Sequence, residues 1–414
     1  MKMDALNFIG HSNLNQSRVC FNFLQLHSEA AKMAAIQLDL RRGDYQDDGA
    51  SPWYCVIAVG SQPTMMKLSL DTGTNMNWLT STQCSTQACM MPGRVRFDPS
   101  SSSTFQWVDE NTQLNLNYGP WGTLKANLGK DKLNMTAFAG LDAITMGLAI
   151  DYRGEKFDEV DWDGCLAFPT KGPMQHGMSF LFQDLMDSKI LGAGETYFSY
   201  ETDPVTKTGT CTLGGLDATK IDPSSMLILP FDAYLPSVEY IWSTPLHSAS
   251  FGGTNIAQDA TFCLDTGSSR FKGDGTYMNT ILGLAANFPG ADLELEVGTT
   301  NGGRPGKLVV PPSIYNQKIE KGNNAGKSMP QFHELAGLKG LFLAGSILMD
   351  HLYTVYWYEE VPTPSGGRAL EPKGMAIFNR KNGPRIIQNG LPYTGDSTDF
   401  VQTVTALVAD SKGA

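Results

Sequence analysis

One tripeptide occurs twice in matching company. Leu68-Ser69-Leu70-Asp71-Thr72-Gly73-Thr74 lies in the first half of the chain, and Thr261-Phe262-Cys263-Leu264-Asp265-Thr266-Gly267-Ser268 in the second. In each copy an apolar strand runs into Asp-Thr-Gly and then a hydroxyl residue, the pattern of a carboxylate carried from a buried strand to a tight turn that glycine permits. A carboxylate placed near the interior is costly without a partner, which makes both aspartates candidates for proton chemistry. One copy alone would be an ordinary turn, since Asp and Gly are common turn residues. Two flanked copies, one in each half, point to a functional pair instead.

Other chemistries find less support. The six histidines lack the His-x-x-x-His or Cys/His spacing that zinc requires, so no metal site is expected. No Gly-x-Ser-x-Gly occurs. Gly302-Gly303-Arg304-Pro305-Gly306-Lys307 has the composition of a phosphate loop without its spacing, and a hairpin turn accounts for it better. Seven cysteines, at positions 20, 55, 84, 89, 165, 211 and 263, cannot all pair within one chain and are too sparse for a disulfide scaffold.

The surroundings of the two motifs extend the pattern. Tyr54–Gly60 and Pro63–Leu70 lead into Asp71, with Trp78 seven residues beyond it. Cys84 and Cys89 follow, then Phe97-Asp98-Pro99 with its serine run to Phe105, then Asn117-Tyr118-Gly119 with Leu128-Gly129-Lys130-Asp131 downstream. In the second half come Leu264–Gly273, Phe288–Val297, Leu308–Tyr315, Leu343-Ala344-Gly345 and Tyr353–Tyr356. In this order, over most of residues 36–380, the sequence resembles the pepsin-like aspartic peptidases.

The resemblance implies an all-β, bilobal fold with two barrel-like lobes around a cleft, and an aspartic endopeptidase with Asp71 and Asp265 as its catalytic pair. Thr72 and Thr266 would tie the two loops together. Gly73 and Gly267 would let backbone approach the carboxylates, and Thr74 and Ser268 would donate to their outer oxygens. Tyr118 and Gly119 would belong to a hairpin flap, with Trp78 as the indole partner of Tyr118, and Cys84–Cys89 would be a disulfide. Two carboxylates within hydrogen-bond reach share one proton and titrate as a unit, aspartic proteases being a standard case. The ionised member can then take a proton from a water that attacks the scissile carbonyl, while the protonated member polarises that carbonyl. Polypeptide substrates are the implied partners, the chain is expected to act as a monomer, and no cofactor is required.

The sequence also departs from the family. In Trp162-Asp163-Gly164-Cys165-Leu166-Ala167-Phe168-Pro169, Ala167 stands where glycine is expected, which alters the packing expected behind Asp71. No cysteine lies between 264 and 414, so C-lobe disulfides are absent, and Cys211 and Cys263 are expected as buried thiols. Ala167, together with a flap tip that Pro120-Trp121 lengthens by one residue, motivates one alternative, a catalytically silent binding or inhibitor protein on the same scaffold.

The elements that must position the pair are read from composition and pattern. The chain has 414 residues, 41% hydrophobic and 18% charged, with 43 glycines and 22 prolines. A single core stops growing at about 250–300 residues, so two lobes are expected. The apolar runs are short and bounded by Gly and Pro, as in a β protein, with a short helix within Met178–Leu191. The expected divisions are an N-terminal extension at 1–35, a lobe with Asp71 and the flap at 36–215, a lobe with Asp265 at 216–390, and a tail at 391–414.

A net charge of −11 without basic clusters argues against nucleic acid, and no run approaches the roughly 20 apolar residues needed to span a membrane. No signal peptide is evident in the first thirty residues. Residues 1–49 hold five basic against six acidic side chains, a poor composition for a basic inhibitory arm, and the dibasic Arg41-Arg42, a processing site in one reading, reads better as a solvated turn. The sequons at Asn15 and Asn134 matter only if the chain is exported, and the compartment stays open: secreted or vacuolar if exported, cytoplasmic otherwise.

Overall fold

Alternation of apolar and polar residues builds the first strands. In Ile36–Arg42 the side chains of Ile36, Leu38 and Leu40 turn inward while Gln37, Asp39 and Arg41 face out. Trp53–Val59 repeats the pattern with Trp53, Cys55, Ile57 and Val59 inward. The computed structural model describes residues 35–412 except 48, 119–121, 138, 154–156, 158–159, 174–176, 193, 301–303 and 396–399. The expected N-terminal extension up to residue 34, with Asn15 and Cys20, therefore lies outside the described residues, as does Gly119 with the Pro120-Trp121 flap tip.

Thirteen strands form one sheet. At its centre Thr64–Asp71 pairs antiparallel with Trp53–Val59 and parallel with Gly164–Ala167, placing Asp71 opposite Ala167. Beyond lie Trp78–Thr80, Gly140–Arg153, Thr123–Asn134 and Gln106–Asn117. Thr123–Asn134 returns to pair with Trp53–Val59, which closes a barrel in which the strand that ends at Asp71 is one of the walls. On the other side the sheet continues through Ile36–Arg42, Thr208–Leu213, Tyr197–Asp203, Leu352–Pro362, Arg368–Asn379 and Leu227–Pro230. Strands from both sides of residue 215 thus join in one backing layer.

A second sheet of seven strands repeats the motif. Thr254–Leu264 pairs antiparallel with Ser243–Phe251 and parallel with Leu341–Ala344, so that Leu264 lies opposite Ala344, as Asp71 lies opposite Ala167. This is the bilobal all-β architecture that the resemblance implied, with a few short helices. No helix among the described residues is long and apolar enough to cross a membrane.

The structure bears out some local expectations and corrects others. The helix expected within Met178–Leu191 covers Leu181–Asp187. A longer helix, Gly275–Asn287, was not expected; its cap is Asp274, whose carboxylate accepts from Thr276 N at 2.8 Å, and Met278, Ile281 and Ala285 form its buried stripe. Within the segment Phe288–Val297 the strand covers Leu293–Val297, the extent of its apolar run. The expected tail contains the helix Phe400–Lys412, anchored by Phe400 against Tyr197, Trp357 and Tyr393. Cys84 and Cys89 form a disulfide, and Cys55, Cys165, Cys211 and Cys263 are buried free thiols.

One buried carboxyl makes stability depend on pH. Asp350 Oδ1 accepts from Trp53 Nε1 at 2.8 Å and Thr202 Oγ1 at 2.7 Å, yet burial pushes its carboxyl up to about 6. A raised folded-state value means that the fold keeps a proton that the unfolded chain releases. This contribution is fully present below the unfolded value and is lost as pH rises through about 6. The penalty at neutrality is at most about 3 kcal/mol. Asp350→Asn preserves an acceptor for both donors and should therefore stabilise the protein at pH 7, with the gain shrinking toward zero below about pH 4. Urea midpoints across that range measure it; a gain that ignores pH would refute the account.

Candidate active site

Each aspartate leaves the end of a central strand at a turn whose backbone grips its inner oxygen. Gly73 N donates to Asp71 Oδ1 at 2.7 Å, and Gly267 N donates to Asp265 Oδ1 at 2.9 Å. The absence of a side chain at these glycines is what lets the loops meet. A Cβ on Gly73 would lie 2.6–2.7 Å from the carboxyl atoms of Asp265, and one on Gly267 would collide with those of Asp71. Each carboxyl therefore packs on the glycine of the opposite loop.

The threonines between them form a reciprocal lock. Thr72 Oγ1 donates to the Leu264 carbonyl at 3.1 Å, and Thr266 Oγ1 donates to that of Leu70 at 2.6 Å. Each hydroxyl also accepts from the backbone N–H of the other threonine at 3.0 Å. Both side chains are buried, so losing one hydroxyl strands a carbonyl and an N–H where water cannot reach. Each such group costs about 1–3 kcal/mol, so Thr72→Val, which keeps the shape, should destabilise the fold by about 2–6 kcal/mol. A loss below about 1 kcal/mol in urea unfolding would show that water replaces the lock.

The outer oxygens are treated unequally. Ser268 Oγ donates to Asp265 Oδ2 at 2.6 Å, as expected. Thr74 makes no corresponding bond: its Oγ1 accepts from Met76 N at 3.3 Å, and the Cys165 sulfur takes the place beside Asp71 Oδ2 at 3.9 Å. This departs from the donor role expected of Thr74. Cys165 reaches the carboxyl because Gly164–Ala167 runs parallel to the strand of Asp71. Ala167, in place of the expected glycine, fits within that strand, its N–H held by Asn77 Oδ1 at 2.8 Å.

Tyr118 follows the strand Gln106–Asn117 and packs edge-on against Trp78 at 6.4 Å and Phe157 at 5.9 Å. Its phenol is pushed well up by burial, with the charges of Cys165 and Asp71 adding to the effect. Trp78, Tyr118, Cys165, Asp71 and Asp265 line one cavity of about 640 Å³. The opposite wall includes Tyr240 and Glu239, and an ion pair between Lys171 and Glu239 joins residues from the two halves.

Electrostatics complete the site. The Asp71 carboxyl is held well above the usual carboxylate range, first by burial and then by the charge of Asp265, while the Gly73 N–H and the Lys272 cation oppose the shift. Lys272 was not singled out from sequence. Its Nζ donates to Ser268 Oγ at 3.0 Å and to the Gly49 carbonyl at 2.7 Å. Two carboxyls that cannot both be charged at little cost, at the floor of a cavity large enough for several side chains, can hold a water and pass its proton.

Comparison with known proteins gives a consistent picture. A family model described as "Eukaryotic aspartyl protease" matches residues 52–289. The sequence is 26% identical to a chymosin of Callithrix jacchus over 275 residues, covering 63% of this chain and 68% of that one. It is 24% identical to a pepsin A of Rhinolophus ferrumequinum over 368 residues, covering 83% and 89%. With a chymosin of Bos taurus the identity is 26% over 225 residues, covering 54% and 55%, so that match spans about half of the relative's length.

Proposed function

Because this chain belongs to the eukaryotic aspartyl protease family, of pepsin-like aspartic peptidases, we propose that it is an active endopeptidase whose catalytic pair is Asp71 and Asp265. One observation carries the reading: two carboxyls from distant turns are packed each on the other's glycine, locked by Thr72 and Thr266, and open to the cavity. A buried pair retaining this lock is expensive to keep without a use.

The reaction follows from the pair's single shared proton. The ionised carboxyl takes a proton from water as its oxygen attacks the scissile carbonyl carbon, and the protonated one gives its proton to the carbonyl oxygen. The resulting gem-diol then collapses. Its C–N bond breaks as nitrogen receives the proton taken from water, and one hydroxyl proton returns to the pair. No covalent intermediate is needed. The Trp78–Tyr118 wall and the cavity favour an extended peptide with apolar side chains at alternating positions.

The test is direct. The purified protein should cut a denatured protein in mild acid, and a peptide bearing a secondary alcohol in place of the scissile carbonyl should block it by resembling the gem-diol. Binding of such a peptide without any cleavage would favour a silent binding protein instead.

A further inference from the structure

One motif of the sequence lies outside the cavity and has no part in its chemistry. The sequon Asn134-Met135-Thr136 stands where the strand Thr123–Asn134 ends and the chain turns back into Gly140–Arg153. Strand alternation decides which way each side chain faces. Leu133 and Met135 are buried, so Asn134 between them is driven outward and is exposed. The third residue of the motif closes the turn: Thr136 N donates to the Ala139 carbonyl at 2.9 Å, and Thr136 Oγ1 accepts from Ala139 N at 3.0 Å.

The surroundings of Asn134 are cleared of bulk. Cross-strand pairing sets it in one row with Gly140 on one side and Ala58 on the other, and Ala58 is in turn opposite Met65. Directly opposed residues share a face of the sheet, so all four look out from the same wall of the barrel. Gly140 has a reason to lack a side chain. A Cβ there would lie 2.6 Å from the Leu133 carbonyl and 3.1 Å from Asn134 Oδ1, pressing on the amide itself. Ala58 adds only a methyl, and beyond it Met65 is 54% exposed. Two strand spacings of about 4.8 Å separate Met65 from Asn134, roughly 10 Å in all. The amide thus stands on a shallow shelf with an apolar side chain at its far end.

We propose that Asn134 carries an N-linked oligosaccharide whose first sugars lie along this shelf, over Ala58 and onto Met65. The new bond joins Nδ2 to the sugar's C1. The donor is a polyprenyl diphosphate sugar: its C1–O bond breaks, the diphosphate leaves with the electron pair, and Nδ2 gives up one proton. A sugar ring has C–H faces and hydroxyl edges, so a face can rest on the Met65 thioether while the hydroxyls stay in water.

Two further observations fit. Cys84 and Cys89 form a disulfide, as in chains that pass through an oxidising compartment, where such sugars are added. None of residues 129–142 lines the cavity, so a sugar on Asn134 leaves it open. The proposal does not depend on the peptidase reading.

The sugar is sought on the full chain, both recovered from its own cells and routed through the secretory pathway of a eukaryotic host. Peptide N-glycosidase turns a glycosylated asparagine into aspartate, so digestion in heavy-oxygen water should label residue 134. Asn134→Gln and Thr136→Ala should lose the label at this position, and Thr136→Ser should keep it. An unlabelled Asn134 in either wild-type preparation overturns the proposal, whether or not the variants fold.

The shelf is tested by peroxide oxidation of Met65, with Met90, 56% exposed on the short helix Ala88–Met90, as the reference. Covering about half of the exposed thioether should slow its conversion to the sulfoxide about twofold relative to Asn134→Gln, with Met90 unchanged. Trimming the oligosaccharide to its first sugars should preserve the protection. Equal Met65 rates with and without the sugar would show that it points into solvent and would overturn its place on the shelf.

Discussion

Asp71→Asn is expected to abolish cleavage while leaving the protein folded. Asparagine has the same shape and still offers an oxygen to Gly73 N, the 2.7 Å bond that fixes the side chain. It can neither hold nor release a carboxyl proton in the working range, so neither proton transfer in the hydrolytic step can be completed by the pair. A positioned proton-transfer group is worth at most about 10⁴-fold, and a loss of that order in kcat/KM against a denatured protein in mild acid is the expected result. The same substitution should change stability in the opposite sense. The wild-type carboxyl is held well above its ordinary range, so the fold is most stable when it is protonated and loses that contribution as pH rises. Asp71→Asn should thus resist urea better than wild type at neutral pH, with the advantage fading in acid. Undiminished cleavage by this variant would remove Asp71 from the mechanism.

Why this pair was legible from sequence, and its supports were not, is a matter of range. Asp-Thr-Gly encodes its local geometry: a strand end, a side-chain acceptor for an N–H two residues on, and a glycine that admits a neighbour. Repetition in both halves supplied the rest. Lys272 stands seven residues past Asp265 in the short strand Phe271–Gly273, and nothing in the one-dimensional pattern tells that its ammonium returns to Ser268 and reaches Gly49. Cys165 was noticed only as part of a segment departing from the expected pattern. Its place beside Asp71 depends on the parallel register of two strands almost a hundred residues apart in sequence. The Thr74 expectation failed for the same reason, since a hydroxyl at the right position can turn to a nearer donor.

The fold shows a similar division. The segments Tyr54–Gly60 and Pro63–Leu70, which form the strands Trp53–Val59 and Thr64–Asp71, were evident because alternation is a property of adjacent residues. The helix Gly275–Asn287 escaped, although its signals were present: an Asp cap, and buried positions at Met278, Ile281 and Ala285. Two glycines, Gly275 and Gly283, and a β-rich context weighed against a helix, and packing on the second sheet outweighed the weak propensity. Pairing of Leu352–Pro362 with Tyr197–Asp203 could not be read locally at all, because it joins strands about 150 residues apart.

Gly267→Ala separates the geometry of the pair from the stability of the fold. The new Cβ would occupy space held by the Asp71 carboxyl, which is pinned by Gly73 N at its inner oxygen and bordered by the Cys165 sulfur at its outer one. The backbone of Asp71 cannot yield, because it is bound into the strand register opposite Ala167, so the carboxyl itself must swing off the pair. Misplacement by about 1 Å can cost about 100-fold in rate, and a loss of kcat/KM of at least that size is expected. The fold should be much less affected than in Thr72→Val. The Thr72–Thr266 bonds are untouched, and alanine restricts the unfolded chain by about 0.4–1 kcal/mol relative to glycine, which offsets part of any local strain. Gly73→Ala should mirror the result through Asp265, since the Cβ would there lie 2.6–2.7 Å from that carboxyl. Urea unfolding and kcat/KM on the same preparations measure both quantities. Full activity in Gly267→Ala would mean that the Asp71 carboxyl has room to leave and return during turnover, and a proton held between two touching carboxyls could not then be the source of the chemistry.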